Sequence, residues 1–399
     1  MSRDVIERAD RTVAATYLRH PVLFEKGQGC TLWDSDGKSY TDFVAGIAVC
    51  ALGHAHPGVA RAVCEQAGRL VHVSNLYYTK PMVELAEWLV GHSFADRVFF
   101  CNSGAEANEA AIKIARRTFY EKGEPERFRI VAASGSFHGR TMGALSATGQ
   151  EKIRKGYDPV LEGFDFVPFN DVPAMAGAVG PRTCAVLLEV VQGEGGVRVA
   201  EPEYLQAVRS LCDEKGMLLI FDEVQTGLGR TGAMFAHEHY GVVPDVMTLA
   251  KALGNGFPIG AMLATEAVAS AFGPGAHATT FGGTPLAAAA ALEVVRTLEA
   301  EDLPGRARRM GDYLRSRLEQ LRERHPIVRQ VRGKGLLVGL ELSVQGAPVV
   351  KACMERGYLI NCVQDTVLRF VPPLIVETEA IDGLVECLDE VLGELQREP

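Results

Sequence analysis

Two segments carry residues whose chemistry stands apart from their surroundings. In Met217-Leu-Leu-Ile-Phe-Asp222-Glu223 an apolar run ends on two acids, with Val224, Gln225, Thr226 and Gly227 after it. In Val246-Met-Thr-Leu-Ala-Lys251 a second apolar run ends on a lysine flanked by Leu249, Ala250, Ala252 and Leu253, and Gly254 and Gly256 follow. Strands of open α/β sheets direct their carboxyl ends at the ligand crevice, so Asp222 or Glu223 is expected to point into a site. A lysine among such neighbours is partly desolvated, which lowers its pKa and makes the amine a nucleophile. Each residue alone also has an ordinary reading, a turn-capping aspartate and a lysine snorkelling from the surface. Together they suit pyridoxal phosphate: the lysine bonds the aldehyde, and the carboxylate keeps the pyridine nitrogen protonated so that the ring can accept electrons.

That cofactor needs a phosphate cradle and a flat neighbour for its ring. Asn102-Ser103-Gly104-Ala105-Glu106 reads as a strand-to-helix turn, whose free N–H groups and positive dipole end suit a dianion. Ser136-Phe137-His138-Gly139-Arg140-Thr141 places an aromatic beside a glycine and an arginine, although a loop phenylalanine is ordinarily packing and His138 could be structural. Two nucleotide-like signatures are set aside. Gly227, Gly229 and Gly232 spell GxGxxG but lie beyond the turn that follows their strand, with no helix start after them. Gly37-Lys38-Ser39 has Leu32 where a phosphate-binding loop needs glycine, and reads as a hairpin turn.

The elements that must position these groups alternate short apolar runs with longer helical patterns, as parallel sheets with crossover helices require. Strands are expected at Arg97–Cys101, Phe128–Ala132, Phe164–Phe169, Cys184–Glu189, Met217–Phe221, Val246–Leu249 and Ala261–Ala264. Several are apolar throughout, the mark of strands covered on both faces. Helices are expected at Ala105–Tyr120, Glu203–Lys215 and Pro285–Ala300. From Leu303 onward the pattern turns to charged amphipathic helices, Gly305–Arg324 and Glu379–Gln396, around short strands at Gly335–Glu341 and Leu368–Val371. The first fifty residues are strand-like, with a hairpin turn at Asp34-Ser35-Asp36-Gly37, and are expected to join that C-terminal unit.

In order along the chain, NSGAEANEAAIKIAR, FHGRT, QGEGG, LLIFDEVQTGLGRTG, LAKALGNGFPIGA, TTFGGTPLA and RFVPPL resemble the class III pyridoxal-phosphate aminotransferases. The likeness runs from about Tyr17 to Pro373. GIAVCALGHAHP at Gly46–Pro57 and SNLYYTKP at Ser74–Pro81 are most similar to the acetylornithine branch of that class. The resemblance implies an α/β fold of the fold-type I transferases. It comprises a large domain with a mostly parallel seven-stranded sheet covered by helices, and a smaller α+β domain from the two chain ends. The expected boundaries are 1–55, 56–300 and 301–399.

It also implies roles. Lys251 would carry pyridoxal phosphate and move the substrate proton, Asp222 would pair with the ring nitrogen, Gln225 would reach the ring hydroxyl, and Val224 and Phe137 would enclose the ring. Ser103, Gly104 and Ala105 would hold the phosphate, with Thr280 from the second subunit of a homodimer. Arg140 would clamp the substrate α-carboxylate, and Arg369 would receive the distal carboxylate of glutamate. Glu194 would cover Arg369 when the substrate has no such group. Tyr17, Asn75, Tyr78 and Thr279 would line the substrate pocket. The implied reaction moves the terminal amine of N2-acetylornithine to 2-oxoglutarate; ornithine, succinylornithine, succinyldiaminopimelate and 4-aminobutyrate are the alternative donors. Cys50, where relatives often have a small polar residue, and Thr284, in place of asparagine in the FGGNP pattern, depart from the family.

Composition narrows the classes from the other side. The 399 residues carry 41 basic and 50 acidic side chains, a net charge of −9 that argues against a nucleic-acid partner. Charges run through the first eleven residues, and no long uncharged apolar run occurs, so a cytoplasmic protein without secretory or membrane segment is expected. Nine cysteines without a CxxC pair point to buried thiols, with no structural metal.

Overall fold

The computed structural model describes residues 2–397. Its centre is a seven-stranded sheet. The strands are β1 (Arg97–Cys101), β2 (Arg129–Ala133), β3 (Phe164–Val167), β4 (Thr183–Glu189), β5 (Leu218–Asp222), β6 (Val246–Leu249) and β7 (Gly260–Ala264). They lie in the order β3-β2-β4-β5-β6-β7-β1. All run parallel except β7, which is antiparallel to both neighbours. Every residue of β4 to β7 is buried, because helices cover both faces. On one face the helix Gly104–Glu121 packs Ala111, Ile114 and Ala115 against Ile130, Leu187 and Ile220; on the other, Pro202–Lys215 packs Leu205 and Val208 against Val186 and Leu219.

Each expected strand of this sheet is present, with ends displaced by two residues or fewer. The reversal of β7 is new. So are the helices Pro57–Ala67, Lys80–Gly91 and Ala347–Glu355. The C-terminal unit forms a four-stranded sheet from Val328–Lys334, Leu337–Leu342, Val367–Phe370 and Asn361–Val363, under the helices Leu303–Arg324 and Thr378–Leu395. Its first and last strands in that order were not anticipated.

Near the N-terminus, Phe24–Gln28, Thr31–Asp34 and Ser39–Asp42 form an antiparallel meander. Its turn is fastened by Asp34, whose Oδ1 accepts the N–H of Asp36 and of Lys38, while Gly37 takes the φ of +83° that favours glycine. The last of these strands pairs in parallel with Tyr358–Leu359. Apolar residues from Phe43 through Leu253 and Leu303 to Leu392 form one continuous core. Among the described residues no helix is long and apolar enough to cross a membrane, and no cluster of His, Cys, Asp or Glu is placed to hold a metal.

Candidate active site

The carboxyl ends of β1, β2, β4, β5 and β6 open into one cavity of about 410 Å³. Asp222 closes β5 at 4% exposure, and three donors converge on its carboxylate. Oδ2 accepts Asn108 Nδ2–H at 2.7 Å and lies 2.8 Å from His138 Nδ1, while Oδ1 accepts the Val224 N–H at 3.0 Å. Asn108 is itself fixed, since its Oδ1 accepts the Thr248 hydroxyl from β6. Glu223 faces the other way. Its carboxylate accepts the Ala236 and His237 N–H groups and lies 2.9 Å from His237 Nδ1, which decides the choice between the two acids.

Lys251 leaves β6 in the left-handed region at φ +46°, a conformation that costs on the order of 1 kcal/mol outside glycine. That turn aims the side chain into the cavity instead of continuing the strand. Burial brings the Lys251 pKa down to about 8; Arg369 adds to this, and Glu194, Asp222 and Glu189 oppose it. A fraction of the amine is therefore neutral, and nucleophilic, near neutral pH.

After β1, Ser103 caps the helix Gly104–Glu121 by accepting the Glu106 N–H, and Glu106 Oε2 accepts the N–H of Asn102, the residue before the cap. The N–H groups of Gly104 and Ala105 belong to the first turn, which has no intrahelical partners for them, and both residues line the cavity. A Cβ on Gly104 would stand 2.7 Å from Val224 Cγ1, so glycine lets the helix start come against the valine. Val224 and Phe137 also line the cavity, and the Arg140 guanidinium lies 5.7 Å from the Phe137 ring.

At the far end Glu194 Oε1 accepts from Arg369 NH1 at 2.5 Å. Arg369 is fully buried behind Glu194, with Asn361 Oδ1 and Gln225 Oε1 as further acceptors at 3.3 Å. Burial alone would raise the Glu194 pKa; Arg369 and Lys251 outweigh it and hold the carboxyl below its ordinary range. Gly193 leaves room for Gln225, whose Oε1 would lie 1.9 Å from a Cβ there.

These features accommodate pyridoxal phosphate: an anion cradle at a helix start, apolar cavity lining from Val224 and Phe137, a buried carboxylate, and an amine with a lowered pKa. A sequence profile of the class III aminotransferases matches residues 12–392. The chain belongs to that family. The aminotransferase is 53% identical to the acetylornithine aminotransferase of Caldanaerobacter subterraneus subsp. tengcongensis over 96% of its own length and 97% of that protein. It is similar in structure to the ornithine aminotransferase of Toxoplasma gondii, with a TM-score of 0.96 and 34% identity, covering 100% and 96% of the two chains. The N-acetylornithine aminotransferase of Stenotrophomonas maltophilia gives 0.86 and 40% identity over 99% and 100%. The family's cofactor is pyridoxal phosphate, and its substrates are small amino and keto acids.

Of the site residues expected in the aminotransferase, Lys251, Asp222, Ser103, Gly104, Ala105, Phe137, Val224, Gln225, Arg140 and Glu194 meet at the cavity. Thr279 stands one step back, its hydroxyl accepting from Asn102 Nδ2. Thr280, Tyr17, Asn75 and Tyr78 do not reach the cavity within one chain. Asn75 Nδ2 instead donates to the carbonyls of Thr279 and Gly282, while Tyr17 and Tyr78 are largely exposed. Thr284 caps the helix Pro285–Ala300 in the way an asparagine would. Cys50 lies beside Gly256 and follows Val49, which lines the cavity. The supporting polar residues Asn108 and Thr248 were not anticipated.

Proposed function

We propose that the chain transfers the terminal amino group of N2-acetylornithine to 2-oxoglutarate, giving N-acetylglutamate 5-semialdehyde and glutamate, a step of arginine biosynthesis. The observation that carries this reading is the convergence of Lys251, Asp222 and Glu194 on one cavity, with Arg369 paired behind Glu194. The relative from Caldanaerobacter, matched nearly end to end, supports the choice of donor. Bound pyridoxal phosphate supplies an aldehyde for the amine and a ring that accepts electrons from the adjacent carbon.

The chain's own groups supply the rest. Lys251 would hold the cofactor in the resting site and serve as the base that moves the proton at the donor carbon. Asp222, held in place by Asn108 and the Val224 N–H, would pair with the ring nitrogen, and Gln225 would reach the ring hydroxyl. Ser103, Gly104 and Ala105 bind the phosphate. Arg140 takes the α-carboxylate through its planar fork. Glu194 neutralises Arg369 while an uncharged arm is bound and moves aside when the distal carboxylate of 2-oxoglutarate arrives. A buried Arg369 without either partner would cost roughly 3–5 kcal/mol.

The functional unit of this proposal is a cytoplasmic homodimer with shared sites. Leu76, Tyr77, Tyr78 and Phe281 are exposed on the adjoining segments 72–78 and 279–283, an apolar surface suited to a second copy that receives Thr280. Residues 56–300 form the cofactor-binding domain, and 1–55 with 301–399 the smaller one; the Ser39–Asp42 pairing with Tyr358–Leu359 supports that grouping. A second reading, ornithine as donor, is favoured by the likeness to the Toxoplasma structure. Half-reaction rates on acetylornithine, ornithine, the succinylated donors and 4-aminobutyrate at equal concentration decide between them. Lys251→Ala should abolish the borohydride-sensitive visible absorption and turnover; retention of both would overturn the reading.

A further inference from the structure

A second buried carboxyl borders the same cavity. Glu189 ends β4 and stands in register with Asp222 at the end of β5. It is 6% exposed and lines the cavity, and its Oε2 accepts the Phe137 N–H at 3.0 Å. The chemistry assigned to Lys251 and Asp222 leaves it without a role. Its position limits its charge. Asp222 on the neighbouring strand and Glu194 on the following loop are like charges, and Glu194 already occupies Arg369. Lys251 is the cation facing it. Burial is the largest influence, Asp222 and Glu194 add to it, and the Phe137 N–H and Lys251 only partly oppose it, so the Glu189 carboxyl is held well above the ordinary range.

The loop that carries Phe137 is held on both sides of that residue: Ser136 Oγ accepts the Gly149 N–H and its carbonyl accepts Gln150 Nε2–H, while the His138 N–H donates to Thr148 Oγ1, the His138 carbonyl accepts Asn108 Nδ2–H and the His138 ring meets Asp222. At Phe137 itself the backbone N–H goes to Glu189. We propose that Glu189 is a positioning residue of this site: its carboxyl oxygen pins the Phe137 backbone and so sets the ring of Phe137 against the cofactor. The inference rests on the cofactor reading above. It concerns the acceptor oxygen of Glu189, not a charge.

Three forms of the full chain loaded with pyridoxal phosphate test it: parent, Glu189→Gln and Glu189→Ala. Cofactor affinity is read by titrating the stripped protein, ring placement by visible circular dichroism, and the proton affinity of the lysine linkage by the pH midpoint of the visible band. Glu189→Ala leaves a buried N–H unpaired and should weaken cofactor binding roughly tenfold and alter the dichroism. Glu189→Gln keeps an acceptor, and should restore both while leaving the midpoint within about half a pH unit. Parent-like binding by the alanine variant overturns the proposal, as does a glutamine variant that behaves like alanine. So does a midpoint that falls by about one unit or more in Glu189→Gln, the mark of a lost neighbouring anion. Should the alanine variant not fold, the affinity and midpoint of Glu189→Gln decide. A parent that forms no visible band at all defeats the cofactor reading itself, and the two failures are thereby distinct.

Discussion

Replacing Lys251 with methionine in the cofactor-free chain should stabilise the protein by an amount that depends on pH. Burial is the main influence on this ammonium and brings its pKa to about 8, against 10.5 for an ordinary lysine. Between those values the unfolded chain binds a proton that the native chain lacks, so the parent gains stability as pH rises through the window. Below it both states are protonated, and keeping the ammonium inside costs about 3 kcal/mol at roughly 1.4 kcal/mol per pKa unit. Methionine fills a similar path without charge. The variant should therefore exceed the parent by about 3 kcal/mol near neutral pH, and the excess should shrink toward pH 10.5. Urea unfolding at a series of pH values gives both curves, and their difference follows Lys251 together with Glu194 and Glu189, whose carboxyls lose its charge in the variant. Arg230, whose buried guanidinium is lowered to about 9, and the buried thiols Cys101 and Cys212, raised to about 12, titrate alike in both proteins. A difference that stays flat across the window refutes the desolvated amine on which the chemistry depends.

Two further outcomes follow from the ends of the cavity. Glu194→Ala leaves Arg369 with acceptors only at 3.3 Å, so half-reactions with uncharged-arm donors should slow while KM for 2-oxoglutarate falls. Glu194 is 27% exposed, which brings the buried-pair cost down to about 2 kcal/mol, so the ratio of the two effects should move by roughly tenfold or more; equal change in both half-reactions contradicts the exchange. Gly104→Ala places a Cβ 2.7 Å from Val224 Cγ1. Helix propensity offsets part of that crowding, so Tm should change little while cofactor affinity, read by titration, drops about tenfold; unchanged affinity argues against the cradle.

What the sequence disclosed follows its physical signals. Val246–Leu249 and Leu218–Asp222 are legible because helices on both faces force every residue to be apolar, which makes the polar residue at each end conspicuous. The same rule applied to Thr183–Glu189 would have singled out Glu189, another acid closing an apolar run. Asn108 left a fainter trace, a polar residue on the buried face of the helix Gly104–Glu121, among Ala107, Ala110 and Ala111. The reversal of β7 leaves none, since Gly-Ala-Met-Leu-Ala reads as an apolar run in either direction. Val328–Lys334 escaped because a register shift between Val328 and Gln330 breaks its alternation, and most of its residues are polar.

The divide between the cofactor end and the substrate end of the site has a physical origin. Lys251, Asp222, Gly104 and Phe137 follow strands of one sheet, so backbone pairing within a single chain fixes their mutual positions. Tyr17, Asn75, Tyr78 and Thr280 lie on segments tied to that sheet by few bonds, such as those from Asn75 to Thr279 and Gly282. Such segments are ordered by whatever covers them, and here they bear exposed aromatic side chains. Tight cofactor retention should therefore depend chiefly on pieces that one chain holds in place, with Thr280 contributing only if the proposed homodimer forms. In the proposed homodimer the surface around Phe281 would complete the substrate end beside Arg140 and the Glu194–Arg369 pair, so a Phe281→Glu variant is expected to lower donor-specific half-reaction rates more than it shifts the visible band of the Lys251 linkage; equal loss of both contradicts this.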